Sequence, residues 1–435
     1  MLLPRAWVTG ALPVVDLSEA TLDAQARAQA GLSDFGDDAS PRAQLRVLLP
    51  ALRDEAQLNP FGQLIAHGSL LKALKERLWA QALFTRHPEI LDRPVAPPVV
   101  IVGQMRSGTT RIQRLLACDP RFGTLRLYEA MCPVPWPSSL RARDAGRVDP
   151  RIGYTRSGLR MLNWLNPEIG RIHPTTALAV DEELGLFEHS FTGAQIEAQR
   201  RIPSFARYCE NHEQTPTYIE LRRLLQLASW FRSGDPAMPW LLKTPQHMQD
   251  LPALLRVFPG ARLIFTQRDP QAVVPSGASL PYHQMVVQSD HVDPHWVGAE
   301  WLNKAVFRAR TLALARRQVP ASHQLDVAFD AVDTDWQHEV RRMYALLGWE
   351  LPSTVLAAMA AYMAQPVAQR AQPASAADFG LSPALIAARF ASLSSPADLP
   401  VTSLPAAATT GPAGRDDVRG DSRRSESRSR PRATG

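Results

Sequence analysis

Apolar residues recur at three-to-four spacing between Ser18 and Pro88, most clearly at Leu45, Leu48, Leu49 and Leu52, and this period predicts helices. Ser18 stands where an N-cap is expected, with Glu19 in the first turn. Prolines at 94, 97 and 98 punctuate this helical region, and the pattern then changes. Val99-Val100-Ile101-Val102 is an unbroken, β-branched run, as expected of a strand buried on both faces, and it ends at Gly103. Trp240-Leu241-Leu242 and Arg262-Leu263-Ile264-Phe265-Thr266 repeat the pattern, and Gln324-Leu325-Asp326-Val327 is a fourth candidate. Strands alternating with helical segments predict a parallel sheet. Between the first two strands lie about 130 mostly helical residues, far more than a crossover needs, so this insertion is expected to contribute substrate-facing structure.

Composition narrows the class. The chain has 435 residues, 45% hydrophobic and 21% charged, which excludes collagen, coiled coil and a wholly disordered protein. Its net charge of +6 suggests nucleic acid until it is located: residues 411–435 hold seven Arg and four acids, so three of the six charges sit there. The remaining +3 is no nucleic-acid footprint. Beyond Pro400 the sequence turns to Ala, Thr, Gly, Ser and Arg without apolar periodicity, and residues 406–435 are expected to form a disordered, basic Ser/Arg tail.

Cys118, Cys132 and Cys209 form no CxxC, and Cys209 with His212 lacks a second pair to complete a zinc site. Neither a disulfide framework nor a metal is expected, and a reducing cytoplasm is the natural compartment. The first 20 residues are broken by Pro4, Arg5 and Pro13 and read poorly as a signal peptide. No run approaches the ~20 apolar residues of a membrane span.

The chemistry begins where the first strand runs into Gly103-Gln104-Met105-Arg106-Ser107-Gly108-Thr109-Thr110 and then a helix. This strand, glycine-bearing turn and helix have phosphate-loop architecture: main-chain N–H groups and the helix dipole together hold an oxyanion. Thr109 occupies the position of the lysine that a nucleoside triphosphatase places on the β- and γ-phosphates, and the cation is displaced to Arg106. The expected anion is therefore phosphate-like but not a magnesium-bound triphosphate. A Gly-Thr turn between strand and helix also occurs without any ligand.

A second constellation supplies further cations. Lys243, in Leu241-Leu242-Lys243-Thr244-Pro245-Gln246-His247, and Arg268, in Phe265-Thr266-Gln267-Arg268-Asp269-Pro270, both stand at the carboxyl ends of predicted strands. That edge of an open α/β sheet is where ligands bind. A single cation there is more often a surface charge, but three such features on successive strands converge on a polyanion.

With these residues in place the sequence resembles the sulfotransferase family, which uses 3′-phosphoadenosine 5′-phosphosulfate (PAPS), and most closely its bacterial branch. The anchors are RSGTT at 106–110, LKTPQH, VFPGARLIFTQRDP and DFGL, spread over roughly residues 31 to 399. The resemblance implies an α/β fold, a three-layer P-loop-like sandwich with a central parallel sheet, a helical N-terminal region and a helical insertion. The expected divisions are a helical region over 1–95, a core over 96–350 with its insertion at about 120–238, and a C-terminal helical or lid segment over 351–400. It also implies PAPS as co-substrate, with no metal. Arg106, Ser107, Gly108, Thr109 and Thr110 would hold the 5′-phosphosulfate, and Arg268 with Ser276 would grip the 3′-phosphate that distinguishes this donor from ATP.

Sulfuryl transfer moves an SO₃-like group in line from phosphate oxygen to an acceptor oxygen or nitrogen, so catalysis needs cations at the departing phosphate and a base at the acceptor proton. By resemblance Lys243 contacts the bridging or sulfuryl oxygens and Arg106 neutralises the leaving group. A histidine used by some members two residues after the lysine is replaced by Pro245. Glu129 best matches a glutamate used as base in the protein-tyrosine branch. Glu183, His189 and His247 are its rivals. Bacterial members often carry basic and glycine residues before the DFGL-like segment, where a lid closes over the nucleotide; residues 365–377 hold only Arg370 and no glycine, and Met105 replaces the usual proline.

The resemblance implies a small-molecule, lipid or carbohydrate acceptor, with no specific nucleic acid partner expected. Trp136, Trp164, Phe187 and Phe191 suit either an apolar acceptor pocket or a core. Oligomeric state is not readable from the chain. A P-loop kinase and a non-catalytic nucleotide-binding relative are the alternative readings.

Overall fold

The structure is a computed structural model, and it describes residues 15–365, 374–391 and 393. The four apolar runs form one sheet: β1 (Val99–Val102), β2 (Leu241–Lys243), β3 (Arg262–Gln267) and β4 (Gln324–Ala328). All pairings are parallel, in the order β2-β1-β3-β4, with Val100 opposite both Leu242 and Leu263. Parallel neighbours cannot be joined by tight turns, so helical crossovers connect them and all carboxyl ends lie along one edge.

Successive side chains of a strand face opposite ways, and the sheet is buried on both faces. Val100 and Val102 join Leu242, Leu263 and Phe265 under helices Thr215–Phe231 and Leu251–Val257. Val99 and Ile101 join Leu241, Ile264 and Val327 against helices Thr109–Leu116 and Phe329–Leu347. No β1 residue is more than 2% exposed, and burying each such side chain contributes about 1.5–3 kcal/mol. The result is the three-layer α/β sandwich expected from the alternation of strands and helices.

Helices Glu19–Ala30, Ala39–Asp54 and Pro60–Arg86 form the N-terminal region. Ser18 caps the first, its Oγ accepting from the Thr21 amide at 3.3 Å. Their core of Leu22, Leu45, Leu48, Leu74 and Leu78 is completed by Phe191 and Phe205 from the insertion. Within that insertion the helix Pro150–Leu165 buries only Arg151 and Thr155.

Helix Pro270–Gln288 packs beside Pro294–Ala315, and the DFGL segment closes over both through Phe379 and Leu381. Gly298 permits this closure: a Cβ there would stand 2.1 Å from the Phe379 carbonyl oxygen. The first 14 residues, positions 366–373, 392 and 394–400 of the expected C-terminal helical or lid segment, and the tail over 406–435 lie outside the described residues. Among the described residues no helix is long and apolar enough to cross a membrane.

Gly298→Ala is expected to lower stability by about 1–3 kcal/mol through this overlap. Gly31, at φ +66° but with open space around it, gives a comparison in which Ala costs only backbone strain, about 1 kcal/mol. Urea midpoints of the two variants check the ordering.

Candidate active site

The turn after β1 is shaped by close approach. An added Cβ on Gly103 would lie 1.9 Å from Thr266 Oγ1 on β3, so only glycine fits. Ser107 Oγ donates to the Gln104 carbonyl at 2.6 Å and lies 2.6 Å from Thr266 Oγ1, fastening the loop to its own start and to β3. Arg106 adopts φ +69° and Gly108 φ +88°. Arginine in the left-handed region is a strained choice, and such strain concentrates at functional sites. Gly108 brings no capping side chain to helix Thr109–Leu116, and among the described residues no acceptor takes the amides of Gly108, Thr109 or Thr110. Three donors without acceptors and the positive end of the helix dipole thus stand together at the start of this helix.

The cations named from the sequence gather here. Arg268 follows β3 and donates through Nη1 to the Arg106 carbonyl at 2.6 Å, its guanidinium 3.9 Å from the centroid of Phe329. Arg106 donates through Nε to Ser276 Oγ at 3.0 Å and through Nη1 to the Ile172 carbonyl at 2.9 Å. Arg268, Arg106 and Ser276 therefore form one connected chain across the loop. Met105, where proline was expected, packs against the cluster that contains Val274 and Phe379.

Lys243 ends β2 with no exposed side-chain surface. Its Nζ donates to Thr110 Oγ1 at 3.1 Å and pairs with Glu182. The acidic run Asp181-Glu182-Glu183 reaches this point from the insertion, and each member has a different task. Asp181 accepts from Thr175 Oγ1 at 2.8 Å and from the Glu182 amide at 2.8 Å. Burial would raise its carboxyl, but the hydrogen bond from His173 and the charges of His173 and Lys243 hold it well below the usual range. Glu183 accepts from the Lys243 amide at 3.0 Å and from His247 Nε2 at 2.6 Å, while His247 Nδ1 faces the Tyr218 hydroxyl at 2.9 Å. A carboxylate only accepts, so Nε2 carries a proton toward Glu183. Burial keeps the Tyr218 phenol protonated. This brace is buried throughout.

Glu182 was not singled out from the sequence, although it lies between the two carboxylates beside it and alone touches the Lys243 ammonium. The signal was the triplet itself: three adjacent carboxylates in a buried insertion require partners. Glu129 is placed differently from the expectation. Its Oε2 accepts from the Arg126 amide at 2.9 Å, capping its own helix Leu127–Met131, and Arg232 grips both oxygens, Nε to Oε1 at 2.7 Å. Among the described residues it makes no hydrogen bond or ion pair with Lys243, Thr110 or Arg106. His189 is buried against Glu220, its Nδ1 3.1 Å from Oε1. Of the aromatic residues, Phe187 and Phe191 belong to two separate cores, whereas Trp164 is 79% exposed.

Residues 97–353 match the sulfotransferase family, and the chain belongs to it. Among its relatives is the omega-hydroxy-beta-dihydromenaquinone-9 sulfotransferase Stf3 of Mycobacterium bovis. That protein is 26% identical over 284 residues, which cover 62% of this chain and 67% of the relative. The protein of the same name from Mycobacterium tuberculosis matches equally. The crystal structure of sulfotransferase STF1 from Mycobacterium tuberculosis H37Rv aligns with a TM-score of 0.75 at 28% identity, covering 87% of this chain and 99% of that one. Sulfotransferase STF9 from Mycobacterium avium shares the fold, with a TM-score of 0.77 at 24% identity over 88% of this chain and 97% of its own. The protein is a bacterial-type sulfotransferase.

Two stability predictions follow from residues that resemble bases but are tied up elsewhere. Glu129→Gln is expected to destabilise the fold by about 1–3 kcal/mol, because it leaves Arg232 half-paired, measured as a shift in urea midpoint. Burial raises the Glu220 carboxyl, but the hydrogen bond and charge of His189, followed by the charges of Arg77 and Arg223, bring it down to about 2. A carboxylate lowered in this way stabilises the fold above its ordinary pKa of 4.5, and that contribution is lost as pH falls toward 2. Glu220→Gln should flatten the acid limb of stability against pH over that window.

Proposed function

We propose that the protein transfers a sulfuryl group from PAPS to a hydroxyl of a lipid-soluble acceptor. The observation that carries the donor assignment is the connected chain Arg268–Arg106–Ser276 closing on three unpartnered loop amides. In this reading the amides of Gly108, Thr109 and Thr110, with the side chains of Ser107, Thr109 and Thr110, receive the 5′-phosphosulfate. Arg268 and Ser276 receive the 3′-phosphate, a group ATP lacks. Thr109 at the lysine position of an ATPase loop disfavours the kinase alternative. The lipid class is supported by the mycobacterial relative named for a dihydromenaquinone.

Lys243 is the transition-state cation. It already spans the loop and a carboxylate, so its charge is in place before the leaving-group oxygen becomes more negative, and no reorganisation is needed at that moment. Arg106 supplies a second positive charge from within the loop. We assign the general base to Glu182 in place of Glu129: Glu182 is the partly accessible carboxylate at the Lys243 ammonium, whereas both oxygens of Glu129 are committed to Arg232 and a helix cap. On transfer, the acceptor O–H proton passes to Glu182 as the new O–S bond forms and the bond to the phosphate oxygen breaks.

Calorimetric titration with PAP beside ATP and AMP tests the donor site. Tight PAP binding, weakened at least about tenfold by Arg268→Ala, is expected, with little response to ATP; tighter binding of ATP than of PAP would overturn the reading. With labelled PAPS and a hydroxylated lipid-soluble acceptor, Lys243→Met and Glu182→Gln should each lower kcat by about 10²–10³. Glu129→Gln should leave kcat within a few-fold. A reversal of the two glutamates would return the base to Glu129.

A further inference from the structure

Eight large apolar side chains are exposed among the described residues, and five of them, Val148, Tyr154, Met161, Trp164 and Leu178, fall within a single stretch of the insertion. Random scatter of exposed apolar residues needs no explanation, but concentration does. On helix Pro150–Leu165, Met161 and Trp164 lie about 60° apart at 100° per residue, on the side away from buried Thr155, while Tyr154 borders them with its ring edge-on to Trp136. Trp164 is 79% exposed and Val148 77%, so nothing in the described chain covers them.

The same stretch is basic. Between Arg141 and Arg171 there are seven Arg and three acids, a net +4 in a chain whose total is +6. Arg156 and Arg160 border the apolar stripe, are exposed and make no ion pair among the described residues, and Arg147 precedes it likewise. An apolar stripe with tryptophan, edged by unpaired arginines on a helix lying across the surface, is the composition of an interfacial helix.

The patch also leads into the site. Helix Pro167–Ile172 follows directly, and its Ile172 carbonyl accepts from Arg106 at 2.9 Å. Leu178 precedes the Asp181-Glu182-Glu183 run that meets Lys243.

We propose that this face docks on the surface of a membrane containing anionic phospholipids, seating Met161 and Trp164 at the acyl boundary so that the active site draws its acceptor from the bilayer. The arginines select the anionic headgroups and the apolar stripe supplies insertion. This rests on the lipid class of acceptor proposed above, but its test does not depend on turnover.

Cosedimentation of the full chain with vesicles of phosphatidylglycerol and phosphatidylcholine, against vesicles of phosphatidylcholine alone, gives the readout. Partition onto the anionic vesicles that falls with added salt is expected. Met161→Ser with Trp164→Ser should reduce it at least tenfold, as should Arg156→Glu with Arg160→Glu. All these residues are on the surface, so PAP binding should be unchanged in both double variants, which also separates failure of docking from failure of the donor assignment. The proposal is overturned if the wild type does not partition. It is overturned equally if both double variants bind vesicles as the wild type does, which would assign binding to the basic tail. Sedimentation equilibrium supplies the remaining outcome: an oligomer that the Met161/Trp164 variant converts to monomer would show that a second copy covers this face.

Discussion

A lysine ammonium with no exposed surface at the end of β2 sets the terms for everything around it. Removing such a charge from water costs several kcal/mol, and the cost is offset only when partners surround it. Lys243 finds Thr110 on the loop helix and Glu182 from the insertion, so one buried cation joins three segments distant in sequence. The insertion must therefore be placed accurately, and the acidic run does this. Asp181 is anchored by Thr175, and Glu183 is clamped to the β2 backbone and to His247, which leaves Glu182 to meet the ammonium. The buried brace of Glu183, His247 and Tyr218 positions the strand end and takes no part at the surface of the site.

The sheet and the phosphate loop were legible in the sequence because their signals are local. Val99–Val102 is apolar throughout since the strand is covered on both faces, and Gly103 and Gly108 mark the turn because no larger residue fits against Thr266 or Phe329. Lys243 and Arg268 could be placed by their position after apolar runs. The base we propose was not legible in the same way. Asp181, Glu182 and Glu183 are chemically alike, and only the packing of a long insertion decides which one faces the lysine. Glu129 lay at a plausible spacing from the loop, yet its partner Arg232 is 103 residues away, and an ion pair of that separation leaves no local trace.

Aromatic residues illustrate the same limit. Phe187 and Trp164 both belong to the insertion, where short helices give little amphipathic contrast. One is fully buried in the core beneath the sheet, and the other is almost bare. Counting aromatics locates neither. The neighbouring charges are more informative, since Arg156 and Arg160 on the helix of Trp164 make no ion pair among the described residues, whereas the region around Phe187 is closed by Tyr218 and His247.

The contact between Arg268 and the Arg106 carbonyl has a thermodynamic meaning. The residue assigned to the far end of the nucleotide also holds the strained backbone that shapes the near end, so the two ends are read by one mechanical unit. In the proposed reading, the free energies of binding for separate fragments of the donor would not add up to that of the whole molecule. A ligand offering both phosphates engages a loop whose geometry its other half has already stiffened, and the two anchoring points report on each other by cooperativity.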